Sequence, residues 1–79
     1  MKSLKEAQVG ENLKIAKVKG EGPTKRRIMD MGITKGTDVF VRKVAPLGDP
    51  IQISLRGFEL TIRRNDAQNI LVEEAWVLK

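Results

Sequence analysis

Apolar and polar residues alternate along most of this chain, the two-residue period of strands with one buried face. Leu13 and Ile15 alternate with lysines before Ala16 and Val18 shift the phase. That predicts a first strand over residues 12–18 with a bulge or kink at the shift. Val39 and Val41 predict a second strand from Asp38 to Val44; Ile51, Ile53 and Leu55 predict a third. Phe58, Leu60 and Ile62 mark a fourth, and Ile70 with Val72 a short fifth. Arg56-Gly57 separates the third from the fourth, a tight hairpin in which Gly57 supplies a positive φ. Ala45-Pro46-Leu47-Gly48-Asp49-Pro50 joins the second to the third. With two prolines and Gly48 it cannot continue a ladder, so it forms a protruding, stiffened loop.

Helical signals are confined to one stretch. Pro23 suits a first helical turn, and Gly32 suits a left-handed stop. Thr24, Ile28 and Met31 fall on one face, with Lys25, Arg26 and Met29 mostly on others. Gly36 belongs to the turn leading into the second strand. A single further turn is predicted from Asn65, which has capping-box spacing with Gln68. Short strands and one small helix cannot fill a sandwich, but they can close on themselves. The predicted fold is mainly β: a five-stranded barrel with one short α-helix between strands 1 and 2. Its predicted core is Leu13, Ile15, Val39, Val41, Ile53, Leu55, Leu60, Ile62, Ile70 and Val72, with Ile28 and Met31 plugging one open end.

The chain has 79 residues, a single domain with its core over about 4–72 and a C-terminal extension over 73–79. Cysteine and histidine are absent, which removes disulfides, thiolate or imidazole metal sites and the usual general base. Lys and Arg number 15 against 10 Asp and Glu, so the net charge of +5 suits acidic partners. Lys2 and Lys5 are followed by no apolar run, so no signal peptide is read. Nor does any stretch approach the ~20 apolar residues of a membrane span. The expected compartment is the cytoplasm, without membrane insertion.

Candidate chemistry is sparse. Gly20-Glu21-Gly22 starts like a dinucleotide fingerprint, but Lys25 stands where the third glycine belongs. Gly32 to Thr37 resembles a phosphate loop in composition only, because Lys35 precedes Gly36. No enzyme activity and no cofactor are expected. A metal would have to be held by oxygen alone, from Asp30, Asp38, Asp49, Asp66 or the glutamates, which makes a weak site.

Lys25-Arg26-Arg27, Arg42-Lys43 and Arg63-Arg64 are basic, yet they are scattered over helix, strand and turn. With Phe58 placed among core residues, Phe40 and Trp76 are the aromatics left for base stacking. Charged outward faces are the simpler reading, and no nucleic acid is expected. A proline-rich ligand would need an aromatic groove that three aromatics do not build. What survives is contact with another protein. Met29 is an adaptable exposed residue. Leu47, beside Asp49 on a stiff loop, is either an anchor or a lid folded back over the barrel. An open edge near the first or fifth strand could also pair with a second copy.

Arg27-Ile28-Met29-Asp30-Met31-Gly32-Ile33 followed by Gly36, the loop from Ala45 to Ile51, and Leu60-Thr61-Ile62-Arg63-Arg64 with Ala67 and Ile70 together resemble the FeoA family. The resemblance runs from about Leu4 to Val72. It implies an SH3-like barrel and a non-enzymatic accessory or regulatory subunit of bacterial ferrous-iron uptake. It also implies a partner, the cytosolic part of the membrane iron transporter FeoB. Lys25, Arg26, Met29, Leu47 and Asp49 are the candidate docking residues, with Pro23, Gly32, Gly36, Gly48 and Gly57 as structural turns and caps. The fold is also similar to the carboxy-terminal domain of iron-dependent repressors. The alternatives are therefore a stand-alone relative of that regulatory module or a small basic nucleic-acid-binding barrel.

Overall fold

The computed structural model describes residues 2–74. Six strands form one antiparallel sheet: β1 (Lys2–Ser3), β2 (Asn12–Val18), β3 (Asp38–Val44), β4 (Ile51–Leu55), β5 (Phe58–Ile62) and β6 (Ile70–Glu74). They lie in the order β1-β6-β2-β3-β4-β5. Helix α1 (Gly22–Asp30) joins β2 to β3, and the single turn α2 (Arg64–Ala67) joins β5 to β6.

Alternation locates the five longer strands, and two features of the expected barrel are corrected. The sheet has six strands, because Lys2 and Ser3 pair with Val72 and Leu71. Two residues are too few to display a period, so alternation cannot register β1. The helix accordingly lies between the second and third strands. Nor is the sheet closed: β5 pairs with β4 and β1 with β6, and the two do not meet among the described residues. Connecting segments fill the mouth instead. Leu4 on the 3-10 turn Leu4–Glu6, Ile28 of α1, Ile33 after it and Ala67 of α2 are all completely buried. The expected edges also move. The predicted first and fifth strands, β2 and β6, are interior, and the edges are β1 and β5.

The phase shift in β2 is a bulge. Register slips between Ile15 and Lys17 against β6, so Leu13, Ile15 and Val18 all reach the core. A second slip lies between Val41 and Lys43 in β3. The core holds nine of the ten residues predicted for it; Leu60 is only partly buried. Phe58, which alternates in sequence with core residues, is 70% exposed. Alternation assigns a face but not a neighbour, and an edge strand has nothing beyond it to cover a large ring.

Local geometry follows the turn chemistry. Arg56 and Gly57 have φ of 49° and 83°, so the β4–β5 hairpin closes with both central residues left-handed. Pro23 occupies the first turn of α1. At the other end Gly32, with φ of 92°, donates its N–H to the Met29 carbonyl at 3.0 Å. The capping box expected at Asn65 is replaced. Helix α2 starts one residue earlier, and Asp49 Oδ1 accepts the Arg64 backbone N–H at 3.1 Å.

Candidate docking surface

Helix α1 packs through Ile28, with Met31 partly buried against the same core. This leaves the opposite face free. Lys25, Arg26 and Met29, with Gly22 and Asp30, line one shallow groove there. Met29 is 43% exposed. Three of the predicted docking residues are thus brought together as a methionine flanked by two cations. Among the described residues, neither cation takes part in an ion pair.

The loop forms the second part of the surface. Gly48 donates to the Ala45 carbonyl at 2.7 Å, and Ala45 to the Pro50 carbonyl at 3.1 Å, so the loop closes on itself. Leu47 at its tip is 86% exposed, standing away from the barrel instead of covering it. Asp49 is exposed as well, and its carboxylate caps α2. Beside the loop, Val9, Val44, Ala45, Pro46 and Pro50 line an apolar groove edged by Arg42 and Lys43. Val9, itself exposed, carries no sequence signal of this role. The Val41 to Glu11 and Gly10 to Val41 backbone bonds, at 3.0 and 2.8 Å, hold its segment against β3.

Helix α2 stands between the two parts. Its Asp66 carboxylate accepts from Arg27 Nη2 at 2.7 Å, and its first N–H goes to Asp49. The helical patch and the loop are therefore tied to one element, a link that sequence spacing could not display.

The exposed aromatics do not form one platform. Phe40 pairs with Ser54 and Phe58 with Leu55. Ser54 and Leu55 are successive, so the two rings lie on opposite faces of the sheet. Arg42 and Gln52 both reach Glu59, at 3.4 and 2.6 Å, on the face of Phe40. At the other end of the sheet, Lys2 Nζ lies 2.9 Å from Glu11 and the Gln8 N–H 2.7 Å from it. The Gln8 N–H, then the Lys2 ammonium, hold the Glu11 carboxyl below its ordinary value of 4.5. Among the described residues, no three Asp or Glu side chains gather closely enough to hold a metal ion. Among the described residues, no helix is long and apolar enough to cross a membrane.

A small antiparallel β-domain with a short helix and shallow surface grooves defines the class. The family model of the FeoA domain matches residues 2–74, and the chain belongs to that family. A fusion of Fe(2+) transport protein A with Fe(2+) transporter FeoB from Porphyromonas gingivalis (strain ATCC BAA-308 / W83) is 36% identical over 70 residues. That match covers 89% of this chain and 8% of the relative, so the chain spans a small part of that protein. The solution structure of a FeoA-like protein from Clostridium acetobutylicum superposes with a TM-score of 0.87 at 37% identity, covering 99% of this chain and 91% of that one. A zinc-complexed FeoA from Stenotrophomonas maltophilia, described as a prokaryotic SH3 domain protein, superposes at 0.80. It is 19% identical, over 92% of this chain and 91% of that one, which shows a shared SH3-like fold. The manganese regulator SloR shares the fold at 0.82 and 14% identity, over 94% of this chain and 34% of its own.

Proposed function

We propose that this domain is a non-enzymatic accessory subunit of ferrous-iron uptake that docks on the cytosolic part of a FeoB-type membrane transporter. The observation that carries this reading is the Porphyromonas relative, in which the same domain and the transporter are one chain. Covalent fusion keeps two partners at high effective concentration, and natural selection of that arrangement favours a working contact between them. The docking face is the α1 groove of Lys25, Arg26 and Met29 together with the projecting Leu47. An acidic surface with an apolar centre complements it: the cations steer the encounter, and Met29 and Leu47 supply desolvated area. Docking regulates transport by binding one transporter conformation more tightly than another, since differential affinity is what shifts an equilibrium.

Calorimetric titration of the transporter's cytosolic part with the wild-type chain and with Leu47→Ala/Met29→Ala tests the surface. Weakening by about tenfold or more is expected, the loss of one or two interface anchors of ~1–2 kcal/mol each. Unaltered affinity rejects this face, and no binding by wild type rejects the partner.

A further inference from the structure

The two sheet edges are built differently. Strand β1 is two residues long and runs straight into the turn Leu4–Glu6, so it offers little to pair with. Strand β5 is five residues long, contains no proline, and pairs with β4 in unbroken register from Ile51–Ile62 to Leu55–Phe58. Proteins usually blunt such an edge with a bulge, a proline or a cover. In this sheet the bulges lie in β2 and β3, and β5 has none.

The hairpin geometry states which groups face outward. A two-residue loop makes Leu55 and Phe58 a hydrogen-bonded pair, and such pairs recur at every second position. Phe58, Leu60 and Ile62 therefore bond to β4, whereas Glu59 and Thr61 direct their backbone N–H and C=O away from it. Those groups have no backbone partner among the described residues. Along the edge, Phe58 is exposed and Leu60 half-buried. Arg56 stands before the strand, and Arg63 and Arg64 stand after it, all exposed. The one carboxylate of the strand, Glu59, already faces Arg42 and Gln52.

We infer that β5 is a strand-addition site for an extended acidic segment of a partner protein, alternating carboxylates with apolar residues. Backbone bonds to Glu59 and Thr61 would supply the register, Phe58 and Leu60 the apolar contact, and the arginines at both ends the charge selection. Charge also favours this occupant over a second copy. Two β5 strands side by side bring six of these arginines together against two glutamates that are already engaged. The inference concerns a different surface from the α1 groove and does not require the transporter as partner.

Amide hydrogen exchange of the full chain, followed by NMR, tests it. The probe is a peptide of about ten residues alternating valine and glutamate, long enough for one added strand, beside its valine–lysine counterpart. The acidic peptide is expected to slow exchange at Glu59 and Thr61 about tenfold, as new hydrogen bonds do, and the basic one to leave it unchanged. Thr61→Pro removes an outward donor without breaking the β4 ladder and should abolish protection at Glu59. Should that variant unfold, Arg56→Glu/Arg63→Glu is expected to erase the preference for the acidic peptide. Unchanged exchange at millimolar peptide, equal protection by both peptides, or protection that grows with protein concentration alone overturns the inference; the last outcome assigns the edge to self-pairing.

Discussion

Arg27 donates to the Asp66 carboxylate at 2.7 Å across 39 positions of sequence, joining the helix that faces the solvent to the turn that caps the sheet. Arg27 is well exposed and Asp66 is not. A pair open to water on its arginine side contributes ~0.2–1 kcal/mol and is screened by salt. A double-mutant cycle with Arg27→Ala and Asp66→Ala should give a coupling of about 0.5 kcal/mol in urea unfolding, shrinking in ~1 M salt. Zero coupling at low salt would detach α2 from α1 energetically.

Asp49 is the other half of that link. Its carboxylate satisfies the first N–H of α2, a position where losing a side-chain acceptor costs ~1 kcal/mol. Asp49→Ala should destabilise by about that amount, while Asp49→Asn, which retains the acceptor, should restore most of it. Chemical denaturation of the two variants separates capping from charge. Equal losses would assign the effect to electrostatics.

Leu4 is fully buried although it lies before the first predicted strand. Truncating it to alanine should cost 2–5 kcal/mol, the range for a core leucine, and so unfold much of a domain this small. Leu47→Ala, at an exposed tip, should stay within about 0.5 kcal/mol of wild type. Reversal of that order in thermal or urea unfolding would contradict the packing described above.

Glu11 makes stability depend on acidity. Its folded carboxyl is held below 4.5, chiefly by the Gln8 N–H and then by Lys2. The unfolded chain therefore takes up the proton first. The contribution of Glu11 is present above the unfolded value and is lost as pH falls through the lowered folded one. Glu11→Gln should be less stable than wild type near neutrality, and the gap should narrow below about pH 4. A gap independent of pH would show that the carboxylate charge is not what matters.

What could be read from the chain alone divides along physical lines. Strands β2 to β6 were legible because apolar and polar residues alternate along each, and even the bulge at Ala16 shows as a slipped phase. The exposed positions of Lys25, Arg26 and Met29 follow from helical spacing, whereas the prolines around the loop left Leu47 open between anchor and lid, and the structure exposes it. Phe58 misled, since alternation carries no information about which strand is an edge. The same ignorance concealed that, among the described residues, the sheet stays open and its ends are β1 and β5. The capping role of Asp49 was hidden because its partner, the Arg64 N–H, lies 15 residues away in sequence. Trp76 lies outside the described residues.

Docking of the α1 groove and loop tip on a transporter is the proposal on which the functional reading rests. Cross-saturation NMR of the labelled chain with the unlabelled cytosolic part of a FeoB-type transporter reads that contact directly. Intensity loss is expected at Lys25, Arg26, Met29 and Leu47, with the buried amides of β2 and β3 unaffected. A spectrum left unchanged at saturating transporter, or losses confined to other surfaces, would contradict it.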